Sequence, residues 1–402
     1  METDHEPDLI SELPIGIIET ILTKLPIRDA VQTCILSTKW RYKWASLTHL
    51  IFDDRITTKC DLRVQGHTEY TFLNFVTRCL FLHEGPIHKF SLCSSYLKSS
   101  PNIDQLLLFI SRKAVKELSL ELGTNDWFTA PSCIFLCKNL THLKLVRCEL
   151  NPPSNFDGFS CLKYLTLKQV SMPRVDIECL MSRCPLLESL TLSHFDCLEL
   201  TLRAPNLKYL ILDGYILEYC EQSSSCRFEK LLGGVPKLER LNIHYTKHLS
   251  TDCTGNSRKL STIIFHDFKF IELHQVGFDD VKEIFIVLQL IVNSPNLKAL
   301  QISGLSYTND AMEAPDLQLW DKKSFIDCTF NQLKTVKLSN LSGEPHEMKL
   351  IKFLLERSPC LEEMSIMPRL CLKERRLNML IDLVGFRRAS PRASINFIHE
   401  LV

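Results

Sequence analysis

Residues 187–192 read Leu187-Glu188-Ser189-Leu190-Thr191-Leu192, and the same spelling recurs on both sides: leucine, two variable residues, leucine, one variable residue, leucine. Upstream it stands at Leu162-Leu165-Leu167 and Leu140-Leu143-Leu145, downstream at Leu207-Leu210-Leu212 and Leu238-Leu241-Ile243. Looser copies begin at Ile87, Val115, Leu260, Leu297, Leu333 and Leu361. From Val115 to Leu260 the first positions lie 25, 22, 25, 20, 31 and 22 residues apart, and the next three steps are 37, 36 and 28.

Within each copy the last two apolar positions alternate at period two, which puts both on one face of a short strand. The first turns inward from the segment before it. A single unit cannot enclose its own apolar face, so neighbouring units must stack to exclude water. Pro185, Pro205, Pro236, Pro295 and Pro359 each stand two residues before a copy. Proline there stops a preceding helix and sends the chain into extended backbone. Helical spacing does precede several of them, at Ile177-Leu180-Met181, Phe228-Leu231-Leu232 and Ile351-Leu354-Leu355. The period predicts an α/β solenoid, a leucine-rich-repeat horseshoe, whose long surface suits binding more than chemistry.

Charge is balanced, with 47 basic and 47 acidic residues, so no electrostatic footprint for nucleic acid is expected. The apolar stretch Ile284 to Val292 holds Gln289 and is too short to span a bilayer; it predicts a buried helix started by Asp279 and Asp280. The acidic N-terminus lacks the apolar run of a signal peptide, and a cytoplasmic or nuclear location is expected. The 17 cysteines include no CxxC pair and suit structural thiols, with Cys148 at a buried position of its repeat. Neither a phosphate loop, nor HExxH, nor GxSxG is present, so no enzyme, cofactor or metal is expected. His194 and His244 follow strands and read as solvent-facing. The long steps beyond Leu260 suggest a mobile loop between Leu305 and Ser324.

The first fifty residues differ. Leu13, Ile17, Ile18, Ile21, Leu22 and Leu25 recur at helical spacing around Pro14. After Pro26, Ile27, Ala30, Val31, Cys34 and Ile35 form a second stripe. Ser37 suits the cap of a third helix carrying Trp40, Trp44 and Leu47. A three-helix bundle this small cannot bury all these side chains internally, and the remainder predicts a partner surface.

Leu13-Pro14, Ile21-Leu22, Leu25-Pro26, Asp29, Leu36-Ser37 and Trp40-Arg41-Tyr42-Lys43-Trp44 resemble an F-box. The resemblance implies a three-helix module over 5–50 that docks on a Skp1-like protein and, through it, a cullin. The contact residues it implies are Leu13, Pro14, Ile17, Ile21, Leu22, Leu25, Pro26, Asp29, Val31, Leu36, Ser37, Trp40, Arg41 and Trp44. The sequence departs from the family's pattern at Thr38 and Lys43.

Further on, Phe330-Asn331-Gln332-Leu333-Lys334-Thr335-Val336-Lys337-Leu338, then Gly343, Glu347-Met348, Lys352 to Glu356 and Leu361 to Met364, are similar to the FBD region of plant F-box proteins. Phe386 to Ala393 fits that group's ending. The order is then an F-box at 5–50, repeats at 51–320 and an FBD region at 325–398 that caps the solenoid, with a helix over Lys349 to Arg357. The combination implies a substrate-recognition subunit of a ubiquitin ligase that binds a target protein of unknown identity through unknown residues, without nucleic acid or membrane. A small-molecule-dependent receptor of the same class and a Skp1-bound scaffold that degrades nothing are the alternatives.

Overall fold

The computed structural model describes residues 10, 13–38, 40–56, 65–95, 97, 101–123, 127–194, 200–214, 226–244, 249–250, 264–305, 319–320, 325, 328–369 and 373–398. Of the mobile loop expected between Leu305 and Ser324 only Leu319 and Trp320 are among them, and these two are held: Leu319 is buried and Trp320 Nε1 donates to His346 Nδ1 at 3.2 Å; the copy's first residues Leu260 and Ile263 lie outside the described residues. The chain divides into two units, Met1–Leu186 and Leu187–Val402.

Unit one opens with α1 (Ile15–Lys24) and α2 (Ile27–Gln32), capped by Pro14 and Pro26. Each proline supplies extended backbone before the first turn and needs no N–H there. Among the described residues the expected third helix is not formed. Residues 40–42 turn, Tyr42 adopts φ 63°, and only a 3-10 turn at Lys43–Ser46 follows. The second stripe is also cut short, because α2 tightens into a 3-10 turn at Thr33–Ile35, where the apolar stripe rotates off the core. Ile35 is accordingly 86% exposed.

Leu47, assigned to that third helix, instead opens the first repeat. With Leu50 and Phe52 it spells one more copy of the phrase, all three buried, on β1 (His49–Phe52). The unit continues through α3 (Gln65–Leu82), β2 (Lys89–Ser94), α4 (Pro101–Ser111), β3 (Glu117–Leu122), β4 (Phe128–Thr129), β5 (His142–Glu149), β6 (Tyr164–Ser171) and α5 (Arg174–Ser182). Its sheet is parallel in the order β1-β2-β3-β5-β6, with β4 paired to β5. The register sets phrase against phrase: Phe90 faces Leu118, Leu118 faces Leu143, and Leu143 faces Leu165.

Unit two holds β7 (Ser189–Ser193), β8 (Tyr209–Asp213), β9 (Cys226–Arg227), α6 (Phe228–Gly233), β10 (Arg240–His244), β11 (Leu249–Ser250), β12 (Phe270–Val276), α7 (Val281–Val292) and β13 (Ala299–Gly304). Then come β14 (Thr335–Leu341), α8 (Pro345–Arg357), β15 (Glu363–Pro368), α9 (Lys373–Gly385) and β16 (Ser394–Phe397). The main sheet is again parallel, β7-β8-β10-β12-β13-β14-β15-β16, with β9 and β11 pairing apart. Along it Leu190, Leu210, Leu241, Ile271, Leu300, Val336, Met364 and Ile395 stand side by side.

This register corrects one copy. The strand expected after Leu260 is β12, whose phrase is Phe268-Ile271-Leu273, all three at most 2% exposed. Phenylalanine holds the first position, so a search for leucine settles eight residues too early. Phe265 stacks on Phe268 with centroids 4.6 Å apart, outside the strand.

Among the described residues five repeats share a backbone device. Arg147, Gln169, His194, Gln275 and Asn340 have φ between 51° and 57°, each two residues after the last leucine of its phrase. A left-handed residue there inserts a bulge, and the pairing register shifts at Leu273/Val276 and at Ser339/Leu341. The bulge reverses the alternation, so the next side chain again points inward: Cys148, Val170, Val276 and Leu341 are at most 3% exposed. Cys148 behaves as expected of a structural thiol. Burial pushes it, and also Cys79 and Cys137, up to about 12.

Helix starts follow the local chemistry. Asp280 caps α7, accepting from the Lys282 N–H at 2.8 Å, as the sequence predicts. α8 begins at Pro345, four residues before the expected Lys349, because Glu344 and Glu347 cap each other's backbone and proline fits the first turn. Glu347 Oε2 accepts the N–H groups of Ser342, Gly343 and Glu344 at 2.9, 2.7 and 3.0 Å. Glu283 holds the same third position in α7 and accepts from the Gly277 N–H at 2.6 Å.

Candidate partner interfaces

Two surfaces of this protein are candidates for contact with partners. The first is the N-terminal module. α1 buries Ile18 and Leu22, α2 buries Ile27 and Ala30, and the following turn buries Trp40, Trp44 and Ala45. That interior is fixed to the first repeat: the Glu84 N–H donates to Ala45 O at 2.9 Å and His83 Nε2 lies 2.8 Å from Leu47 O, so the end of α3 holds the turn. Burial and the nearby Lys113 ammonium depress the His83 pKa against the pull of that carbonyl.

The sequence-predicted contact residues therefore separate into two sets. Leu22, Trp40 and Trp44 are at most 2% exposed and shape the module from inside. Ile17, Ile21, Leu25 and Leu36 remain 47%, 38%, 36% and 58% exposed. Pro14, Asp29 and Arg41 are exposed, while Leu13, Pro26, Val31 and Ser37 are half-buried. Four outward residues lie outside the expected contact set: Ile10, Ile15, Ile35 and Tyr42, at 55%, 61%, 86% and 56% exposure. Ile15 falls between Leu13 and Ile17, off the stripe that periodicity picks out, and Ile35 belongs to the second stripe, which the 3-10 turn breaks. So many large apolar side chains left in water on one small module make it a candidate protein interface.

The second surface is the face of the strands turned away from the helices. In unit one it carries a recess of about 300 Å³ lined by Ile51, Lys89, Glu117, His142, Lys144 and Tyr164 among others. The His142 and Tyr164 rings stack 4.3 Å apart, and Lys89 Nζ sits 2.9 Å from Glu117 Oε2. The Lys89 ammonium, donating to Glu117, holds that carboxyl below the usual range.

In unit two the same face gathers a polar cluster. His244 stacks on His274 at 4.1 Å, His274 Nε2 lies 3.0 Å from Glu272 Oε1, and His244 Nδ1 lies 3.8 Å from Asp213 Oδ1. Asn242 donates to Glu272 Oε2 at 2.9 Å, and the Arg240 guanidinium lies 4.1 Å from the Phe270 ring centroid. Burial, then the neighbouring His274, holds the His244 imidazole below its usual range. His244 is thus no lone solvent-facing histidine, and sequence spacing gave no sign of the stack because its partner lies one repeat away. Among the described residues no cluster of three or more His, Cys, Asp or Glu side chains is arranged to hold a metal ion.

Comparison with known proteins bears on both surfaces. Sequence models match the F-box domain at residues 10–51, the LRR repeats of FBD-associated F-box protein At5g56370 at 103–223 and the FBD at 321–366. The Arabidopsis thaliana F-box/FBD/LRR-repeat protein At1g13570 is 42% identical over 421 residues, spanning 98% of this chain and 100% of the relative. FBD-associated F-box protein At5g56370 of the same plant is 25% identical over 97% of this chain and 100% of its own length. The three family models match in this order along the chain, and a relative is 42% identical over its whole length: the chain belongs to the F-box/FBD/LRR-repeat proteins.

Proposed function

We propose that this chain is the target-recognition subunit of a Skp1–cullin–F-box ubiquitin ligase, acting in the cytosol or nucleus. The observation that carries the reading is the set of apolar side chains the module leaves exposed, Ile15, Ile17, Ile21, Leu25, Ile35 and Leu36. Burying a large side chain of this kind contributes roughly 1.5–3 kcal/mol, so the set supports a stable complex with a Skp1-like protein. The cullin joins through that protein. The strand faces of the repeats hold the target, and the chain contributes proximity while bond-making stays with the conjugating enzyme.

Ile21→Asp with Leu36→Asp tests the docking face without touching the buried residues. Co-purification of a Skp1-like protein should fall by roughly a hundredfold or more, a loss above about 2.8 kcal/mol, with the melting temperature unchanged. Retention of the partner at wild-type level would refute the assignment. A second reading is a receptor whose target site a small ligand completes, the ligand seated in the strand-face recess of unit one. Replacing Lys144 by Ala would then weaken target capture only when the ligand is present.

A further inference from the structure

Between α3 and α4, on the helical side of unit one, lies a groove of about 570 Å³. Helical spacing builds its floor from Leu73 and Leu80 of α3 and Leu106 of α4, all at most 8% exposed. Its rims carry rings that the fold leaves in water, Tyr70 at 69%, Phe81 at 88% and Phe109 at 38% exposure. A volume of this size suits a small molecule. A helix about 10 Å across and roughly 18 Å long would displace more than twice as much, so most of it would stay outside.

The two ends of the groove differ in charge. α3 and α4 run in the same direction, each returning from one parallel strand to the next, β1 to β2 and β2 to β3. The charge of Lys113, just past α4, reaches His83, just past α3, so the two C-terminal ends lie together. There Lys113 Nζ sits 4.9 Å from the Phe109 ring centroid. Glu69 and Asn102 line the opposite end, and Glu69 is the one charged residue of the lining. Between the ends stand the exposed carboxamides of Asn74 and Gln105, without hydrogen-bond partners among the described residues. Thr77 Oγ1 is already engaged, donating to Leu73 O at 2.8 Å.

No cation lines the groove, so nothing in it answers an anion. A carboxylate beside an exposed tyrosine ring answers an ammonium group. Two phenylalanine rings answer an aryl group, and carboxamides, donors and acceptors at once, answer an amide link. Lys113 repels a second cation from the aromatic end, which sets the direction of the ligand. Glu69 and Phe81 stand roughly 18 Å apart along α3, and contact distances leave about 10 Å between a bound amine and a bound ring. We propose that the α3–α4 groove binds an elongated aromatic amine, its ammonium at Glu69 and Tyr70 and its aryl group against Phe81 and Phe109. The site lies outside the F-box face and the strand-face recess and does not rest on the ubiquitin-ligase reading.

The test titrates the full chain calorimetrically with putrescine acylated at one nitrogen by phenylpropanoic acid, an amine, amide and ring in line. Two counterparts are the butyl amide of the same acid, which lacks the amine, and its γ-aminobutyrate amide, which carries a carboxylate in the amine's place. The amine probe should fill one saturable site, the butyl amide should bind roughly tenfold more weakly, and the carboxylate should not saturate. Glu69→Gln should weaken the amine probe by roughly tenfold and leave the butyl amide unchanged. Phe81→Ala should weaken both by roughly threefold or more, and both variants should melt like the wild type. No saturable binding of the amine probe, equal binding of the carboxylate, or undiminished binding by either variant would overturn the proposal. So would a dimer in light scattering that Phe81→Ala dissolves, or tighter binding of a peptide bearing lysine and phenylalanine than of the amine. Skp1 retention by both variants stays at the wild-type level, which separates this outcome from the fate of the proposed function.

Discussion

At Gln169 the backbone holds φ 51°, where side chains other than glycine are strained by roughly 1–2 kcal/mol. Nothing but the bulge requires this conformation, so glycine should be accepted there and a β-branched residue should not. Gln169→Gly should match or exceed wild-type stability in urea, while Gln169→Val should lose about 1–2 kcal/mol or more. Equal stability of the two variants would deny that the left-handed residue sets the bulge. The alternating positions nearby are tested differently. Leu190 is fully buried, and its replacement by alanine should cost roughly 2–5 kcal/mol. Thr191→Ala on the opposite face should cost within about 0.5 kcal/mol. The leucine pair was legible because period two is a strong signal. The bulge was not, because arginine, glutamine, histidine, glutamine and asparagine occupy the five equivalent positions and none is a glycine. His244 and His274 were unreadable for another reason: their contact depends on register between repeats and not on either residue's surroundings in sequence.

Among the elements, α8 carries the sharpest electrostatic consequence. Burial pushes the Glu347 carboxyl up to about 7 even though three backbone N–H groups favour its charged form. Its folded value then exceeds the roughly 4.3 of an unfolded glutamate, so the folded state binds the proton more tightly. The stability this group contributes is complete below about pH 4.3 and is lost as pH rises through about 7. Glu347→Gln keeps an acceptor for the three N–H groups and should flatten that slope in denaturation at pH 5 and pH 8. Glu347→Ala leaves three donors without their acceptor and should cost roughly 1–3 kcal/mol throughout. A wild-type slope that survives in Glu347→Gln would place the titration elsewhere. The start of α7 was readable from Asp280 because aspartate is a strong capping residue. The start of α8 was hidden because glutamate is not, and β12 was misplaced because Phe268 fills a leucine's position.

For the molecule as a whole, the order of F-box, repeats and FBD was legible end to end, whereas the division of the F-box residues into inward and outward sets was not. Burial depends on how the module seats against β1 and α3, which no local spacing records. That seating carries its own expectation. A chain cut to begin at Leu47 loses the buried Trp44 and the Ala45 carbonyl that accepts from the Glu84 N–H just after α3, so it should melt well below the full chain and expose hydrophobic surface to a dye. If it melts like the full chain, the module is energetically separate from the first repeat. The parallel register has a different consequence, one that concerns time. Within each unit every strand of the main sheet pairs with strands that lie one repeat before or after it, as Leu118 with Leu143 and Leu143 with Leu165. No strand waits for a distant one to be made. A chain emerging from the ribosome can therefore lay each repeat onto the one translated just before it, so that within each unit synthesis and folding advance in the same direction.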